Sequence, residues 1–230
     1  MSFSDKVLQL KQDFDDVYAV GNEQGKKEVW KCITHNGTRV QFMYGFAYTD
    51  LAYFAPFTDL KPINCGYMFA LTNGGTYGNG TPIDLVERFN QYGTTLDFSN
   101  CTSSDRCFYM STVTRVGVVD CLKMKALNYF FQDDRQLHTI EKMIVKKEIT
   151  YSNTFLNCFE LENIVFEGEI GNNIDFSSCT KLSHDSLMSI INHLETKTSG
   201  TFTLSIGSTN LAKLTDAEKA IATQKGWTLA

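Results

Sequence analysis

An internal repeat, with a period of roughly 21 to 24 residues, constrains the fold of this chain more than any other feature. Leu161 and Ile164 follow Phe155 at the sixth and ninth positions, and the same spacing begins one period earlier at Phe131. A shorter match begins one period later at Phe176. Periods of this length are typical of proteins in which each unit forms one turn of a solenoid. The predicted repeat core comprises Phe131, Leu137, Ile140, Phe155, Cys158, Leu161, Ile164, Phe166, Phe176, Cys179 and Leu182.

The spacing within a unit indicates a loose turn that leads into a short strand. Apolar residues recur at every third position from Phe155 to Ile164, and Phe166 follows two positions later. A helix would mix spacings of three and four, and a strand would repeat every second residue. One unit cannot bury its apolar face alone, so successive units are expected to stack. We therefore place Leu161, Ile164 and Phe166 toward the axis, and Phe155 and Cys158 on the convex side, where a small cysteine permits close stacking.

Two segments before residue 131 match the repeat in part. Val113, Val116 and Val118 have the spacing of residues 161, 164 and 166, and LDFSNCT at 96–102 resembles IDFSSCT at 174–180. These matches predict a solenoid over residues 96–182. The fold class is therefore an α+β repeat, with an aromatic N-terminal cap region at 38–95 and a C-terminal α/β cap at 183–230.

The C-terminal region has its own start signals. Leu187, Ile190, Ile191 and Leu194 form an amphipathic stripe behind a helix cap at Ser183 or Asp185. TFTLSI at 201–206 predicts a strand. TDAE at 215–218 is a capping box, which predicts a helix that starts there and ends before Gly226. WTLA at 227–230 predicts an edge strand.

Residues 1–37 are predicted to be mainly one helix, from residue 4 to about residue 34. Val7, Leu10, Phe14 and Val17 form a seam of two heptads. This seam predicts a docking or oligomerisation device, with a trimer as the suggested state, although packing against the chain's own domain explains it equally well. Asn36-Gly37 stops the helix or, alternatively, forms a hairpin turn.

Residues 38–95 are rich in aromatic side chains, and alternation from Phe42 to Tyr48 suggests an extended segment. Such rings serve as core, as a protomer interface or as a binding surface. The glycine-rich stretch at 73–82 lacks a phosphate-binding fingerprint, so we interpret it as a surface loop capped by Thr81, with Pro82 at the first helical position. The candidate partner-binding residues are Tyr48, Tyr53, Phe57 and Tyr77.

Composition excludes several classes of function. The formal net charge of −5 gives no electrostatic reason to expect nucleic acid. The sequence holds no apolar run long enough for a transmembrane helix, and its acidic N-terminus does not match a signal peptide. Seven cysteines without a CxxC pair favour neither a disulfide framework nor a zinc site. We expect a reduced protein without metal or cofactor, synthesised in a cytoplasm.

The polar residues do not indicate catalysis. The four histidines form neither an HExxH pair nor a metal triad. Ser183, His184 and Asp185 are adjacent in sequence, and neighbouring side chains at a helix start point apart, so they are interpreted as capping residues. The sequence therefore predicts a protein that is not an enzyme.

Two blocks carry a resemblance to a known family: NTFLNCFELENIVFEGEIG at 153–171 and the segment from LSHDSLMSIINHLETKTSG at 182–200 to the C-terminus. They resemble BspA-type leucine-rich-repeat proteins, in particular those encoded among tail-region genes of phages and prophages of gut-type bacteria. The likeness is strongest over 96–230. This chain departs from the family's usual pattern at Asp134, where a cysteine is expected, and at the irregular unit over 101–118.

The resemblance implies a non-enzymatic scaffold that contacts other proteins or cell-surface glycans. For the tail-encoded group it implies a virion component of the baseplate or fibre, with other tail proteins, or a host cell-surface protein or glycan, as partners. The alternatives are a bacterial surface adhesin of the same repeat family and an intracellular protein-interaction module.

Overall fold

The computed structural model describes residues 40–41, 46–47, 51, 54–56, 59–72 and 81–230, with the side chains of residues 40–41 excluded. The predicted N-terminal helix, the Asn36-Gly37 stop and the glycine-rich loop at 73–80 lie outside these ranges. The described strands are β1 (Val40–Gln41), β2 (Pro62–Asn64), β3 (Ile83–Asp84), β4 (Val113–Asp120), β5 (Thr139–Val145), β6 (Asn163–Gly168), β7 (Ile174–Asp175), β8 (Phe202–Ser205) and β9 (Trp227–Leu229). The described helices are α1 (Leu85–Gln91), α2 (His184–Asn192), α3 (Gly207–Leu211) and α4 (Asp216–Gln224).

The central sheet has the order β3-β4-β5-β6, and each neighbouring pair is parallel. Val116 pairs with Ile140, and Ile140 pairs with Ile164, so equivalent residues of neighbouring strands lie one repeat unit apart. Parallel strands joined in this way require a connection that crosses back over the sheet. Here the crossing segment is a series of tight turns that carries the repeated phenylalanines.

Stacked phenylalanine rings run through the units. Neighbouring ring centroids lie 5.4, 5.3, 5.2, 5.8 and 4.4 Å apart, and neighbouring ring planes are inclined by 11° to 21°. Offset stacking of this kind adds to the burial of the rings. The stack begins well before residue 96, where the sequence places the first repeat. Its members, in order, are Phe46, Phe69, Phe108, Phe131, Phe155 and Phe176.

Four of the ring-bearing turns, those of Phe69, Phe108, Phe131 and Phe155, share one backbone conformation. In each of these four turns two residues with positive φ stand four positions apart, for example Tyr129 with Asp133 and Asn153 with Asn157. Backbone N–H groups of one turn donate to carbonyls of the next, as Phe131 N–H does to the Thr154 oxygen at 2.9 Å. The turns therefore satisfy their backbone hydrogen bonds between units, as the strands do.

All eleven residues of the predicted repeat core are buried, and none exposes more than 2% of its surface. The correspondence predicted for Val118 is wrong: its side chain is 45% exposed, and the buried residue is Val119. The reason is a register shift in the sheet, which pairs Ile140 with Ile164 and then Met143 with Phe166. Val116 and Val119 in β4, like Ile140 and Met143 in β5, are therefore three positions apart, whereas Ile164 and Phe166 in β6 are two apart.

The resemblance between 96–102 and 174–180 does not place the two segments at the same point of a unit. Phe176 stacks on Phe155, whereas the Phe98 ring meets Phe108 and Phe130 edge to face, outside the stack.

The described cysteines are buried free thiols, at positions 65, 101, 107, 121, 158 and 179. Burial raises the pKa of the Cys179 thiol to about 12.

An insertion separates the second and third rings of the stack. Phe69 and Phe108 are farther apart along the chain than any other two neighbouring rings of the stack, and the additional residues include α1.

The predicted start of this helix, with a cap at Thr81 and Pro82 as the first helical residue, is wrong. Ile83 N–H donates to the Thr112 carbonyl at 3.0 Å and holds residues 83–84 in the sheet, so the helix starts later. Its N-cap is Asp84, whose carboxylate accepts from the Glu87 N–H.

The C-terminal region ends the central sheet at β6. Ser183 is the N-cap of α2, and all four residues of the predicted apolar stripe are buried. Ser186 Oγ accepts a hydrogen bond from Ile164 N–H, and Ser189 Oγ accepts one from Phe166 N–H, each at 2.9 Å. These two hydroxyls of α2 thus take the place of the carbonyls that a further strand beside β6 would offer. This cover protects a strand edge that would otherwise be open to other chains.

β7, which precedes α2, forms a separate parallel sheet with β8 and β9, and β9 lies at its edge, as the sequence predicts for WTLA. The capping box of Thr215 and Glu218 that opens α4 is confirmed, and α4 ends before Gly226.

Candidate functional site

The outer face of the central sheet, opposite the buried core, exposes two valines. Val118 on β4 is 45% exposed and Val165 on β6 is 49% exposed. The register shift produces this arrangement, since Glu141 and Lys142 of β5 together span the position of Val165. Strongly exposed branched side chains on a hydrogen-bonded sheet form a rigid apolar surface. We call Arg115, Gly117, Val118, Glu141, Lys142, Val165 and Glu167 the outer sheet face.

Charged side chains of the outer sheet face are paired across the strands. The Arg115 guanidinium lies 3.6 Å from the Asp84 carboxylate and contacts Glu141 still more closely. The bond to Glu141, more than any other effect, raises the pKa of Arg115. Lys142 Nζ lies 2.9 Å from the Glu167 carboxylate. Two cations thus stand against three carboxylates, so the ion pairs offset most of the charge around the valines.

A groove of about 180 Å³ lies beside this face, between α1 and β4. Val86 and Phe89 line it from the helix, Leu96 from the following segment, and Val118 from the strand. At Gly117 the helix and the strand approach to ordinary packing distance, since a Cβ atom there would lie in van der Waals contact with the Val86 methyl at 3.5 Å. Val118 thus belongs both to the outer sheet face and to the groove, whereas Glu141 and Lys142 of β5 separate Val165 from them.

The polar residues singled out in the sequence have structural partners. The Ser183 hydroxyl accepts the Ser186 N–H at 3.2 Å, and His184 Nε2 lies 2.9 Å from Glu218 instead of facing Ser183. His193 Nδ1 lies 2.7 Å from the Ser189 carbonyl at the end of α2. Among the residues that the structure describes, no three histidine, cysteine or acidic side chains stand close enough to hold a metal ion.

The candidate contact residues from the sequence lie outside the described ranges. This holds for the four aromatic residues Tyr48, Tyr53, Phe57 and Tyr77, and for the seam of Val7, Leu10, Phe14 and Val17. Sequence reasoning missed the outer sheet face, because exposure of Val118 depends on the register shift. The one available signal was the excess of three-residue spacings in VTRVGVVD, which a flat strand does not have.

Comparison of the chain with protein-family models, curated proteins and solved structures finds no match. In the described part of the chain, the helices are too short or too polar to cross a membrane.

Proposed function

We propose that this chain is a non-enzymatic interaction protein, built as a short leucine-rich-repeat-type solenoid that works in a phage or prophage tail. Its role there is assembly of the baseplate or fibre, or attachment to the host. The resemblance of residues 96–230 to tail-encoded BspA-type proteins supports the tail setting.

The observation that carries an interaction role is the outer sheet face. Exposed Val118 and Val165 stand on strands fixed by hydrogen bonds on the ladder and by buried side chains on the other side. A surface of this kind loses little conformational entropy when a partner covers it. The charges around it are already paired, so a partner gains mainly from burying apolar area.

Particle composition tests the tail role. Particles purified from an induced culture of the bacterium that encodes the chain are expected to contain it in fixed ratio to the other tail proteins, as measured by quantitative mass spectrometry. A chain found in cells but absent from purified particles would refute the proposal.

A double variant tests the surface itself. Val118→Lys together with Val165→Lys places two charges on the outer sheet face and is expected to lower incorporation into particles about tenfold or more, because a partner would have to bury the two added charges, which is costly unless they are paired. Leu156→Lys is the matched control, since Leu156 is an apolar residue 37% exposed in a turn outside the sheet. Equal incorporation of both variants would exclude this face as the interface.

We also propose that residues 1–37 form the docking or oligomerisation device. Light scattering of the full chain beside a chain lacking residues 1–36 measures this directly. A full-length oligomer that becomes monomeric on truncation supports oligomerisation through these residues, and a monomer in both cases refutes it.

A further inference from the structure

A second depression lies where the repeats meet the C-terminal cap, between segments 150–152, 172–173 and 201–202, and has a volume of about 370 Å³. It differs in chemistry from the apolar groove at α1, because its lining side chains are hydroxyls, amides and aromatic rings. All of them are uncharged. The depression therefore offers hydrogen bonds without a net charge.

Three hydroxyl groups at its wall are open to a ligand. Thr150, Ser152 and Thr201 are exposed, and none of their side chains has a hydrogen-bond partner among the described residues. A hydroxyl both donates and accepts. The three groups can thus contact another hydroxyl in either sense.

Asn172 offers a ligand one acceptor and Asn173 offers it one donor, because hydrogen bonds to the backbone fix the orientation of each side-chain amide. Asn172 Nδ2 donates to the carbonyls of Lys147 and Ile149 at 2.9 and 3.0 Å, which leaves its Oδ1 as the group available to a ligand. Asn173 Oδ1 accepts from Thr203 N–H at 2.9 Å, which leaves its Nδ2 as a donor. Both amides are held in place before any ligand arrives, and this preorganisation favours binding.

Phe202 supplies an apolar wall in a fixed position. Its ring packs on Trp227 at 5.6 Å between centroids, and Lys197 Nζ lies 4.0 Å from the ring centre. A Cβ at Gly200 would lie 2.9 Å from the ring, so glycine is required for the ring to stand where it does. These contacts fix the position of the ring, and Phe202 is one of the residues that line the depression.

From this chemistry we propose that the depression binds a neutral polyhydroxylated ligand, namely a short stretch of neutral oligosaccharide. Sugars present alternating hydroxyl donors and acceptors beside apolar C–H faces, which matches fixed amides and hydroxyls beside an aromatic wall. An anionic or cationic ligand would find no opposite charge in the lining. The volume falls in the range of known small-ligand sites. The inference names a ligand class for the attachment role proposed above and rests on that role for its biological purpose.

An oligosaccharide array carrying neutral and sialylated chains tests the proposal with the full chain. Neutral oligosaccharides are expected to be retained and their sialylated counterparts not. Titration calorimetry with the best retained neutral oligosaccharide then compares variants. Asn173→Asp keeps the acceptor for Thr203 N–H but removes the free donor, and Thr201→Val removes one hydroxyl. Each is expected to raise Kd about fivefold to tenfold, which is the value of one hydrogen bond.

The control is Thr180→Val, an exposed threonine outside the depression, which is expected to leave Kd unchanged. Three outcomes would each overturn the inference. The array retains no neutral oligosaccharide, or it retains sialylated chains alone. The third is that Asn173→Asp and the unaltered chain have equal Kd values at equal melting temperature. Particle composition and the Val118/Val165 variant do not depend on this depression. A failed array with the chain present in particles therefore refutes the sugar site and leaves the tail role standing.

Discussion

Replacement of Asp134 by cysteine is expected to stabilise the protein by an amount that grows as the pH rises. Asp134 stands three positions after Phe131, the place that Cys158 holds after Phe155. Its side chain is fully buried, and among the residues that the structure describes neither carboxyl oxygen has a partner with hydrogen-bond geometry. Burial raises the pKa of this carboxyl group well above its ordinary value, and a weak interaction with the backbone N–H of Gln136 offsets this only in part.

The direction of the effect follows from proton binding. In the unfolded chain the Asp134 carboxyl group ionises near a pKa of about 3.9. In the folded protein it keeps its proton to a higher pH. Between these two pKa values the folded state holds one more proton than the unfolded state. The free energy of unfolding therefore falls with rising pH, by up to about 1.4 kcal/mol per pH unit. Below about pH 4 both states are protonated, and this contribution to the pH dependence disappears.

A cysteine at this position does not titrate in the same range, because burial raises the pKa of thiols in this core, as it does for Cys158. The difference in unfolding free energy between Asp134→Cys and the unaltered protein is thus expected to grow with pH from about pH 4 until the folded carboxyl group ionises, by at most about 1.4 kcal/mol per pH unit. The new thiol can also donate to the preceding turn, as Cys158 Sγ does to the Phe131 carbonyl at 3.1 Å.

Urea unfolding followed by circular dichroism at several pH values in this range measures the difference. Asp134→Asn is the control of similar volume. It removes the titration and is expected to give the same slope with pH, but a smaller gain, because a buried amide without partners remains. A stability difference that is constant with pH, or that shrinks as the pH rises, would refute the assignment of Asp134 as a buried neutral acid.

Two further substitutions test the ends of the sheet. Ser189→Ala leaves the Phe166 N–H without its acceptor and is expected to lower the free energy of unfolding in urea by about 1–3 kcal/mol. The control is Ser199→Ala at an exposed serine, which is expected to change it by no more than about 0.5 kcal/mol. Equal effects of the two substitutions would argue against the capping role. Gly168→Ala places a Cβ 2.0 Å from a backbone oxygen of β5 and is expected to lower the free energy of unfolding by more than about 3 kcal/mol. Gly93→Ala is the control, because the space around Gly93 is open and only the backbone strain of roughly 1–2 kcal/mol is expected. Equal losses for the two glycines would show that the strand spacing at β6 is not tight.

The sequence allows the regular units and the helix caps to be predicted, because both depend on short spacings. Phe131 and Phe155 stand one period apart with similar residues between them, so their equivalence is visible without a structure. Ser183 and Thr215 bond to N–H groups three positions ahead, within one turn of helix. These features need no knowledge of distant parts of the chain.

The earlier members of the ring stack could not be predicted in the same way. The insertion with α1 between Phe69 and Phe108 breaks the period. A weaker signal was present, since Thr72 and Ser111 stand three positions after these rings and keep a small polar side chain at the cysteine position. The similarity of LDFSNCT to IDFSSCT was misleading for a physical reason: in both, an aspartate accepts from the N–H two positions later, so the shared letters describe a turn and not a place in the unit.

The variation at the third position after each ring shows what stacking requires and what it tolerates. From Phe69 onward the stacked rings are identical, while the residue three positions later changes from Thr72 and Ser111 to Asp134 and then to two cysteines. In a stacked array each unit contacts only its neighbours, so a costly choice in one unit affects two interfaces and not the whole core. The hydroxyls of Thr72 and Ser111 lie 3.4 Å apart, and Cys158 Sγ donates to a carbonyl. Asp134 differs from them, because its carboxyl oxygens are buried without a hydrogen-bond partner in the described part of the chain. Its removal should therefore strengthen one place in the array and leave the outer sheet face, one strand connection away, unchanged.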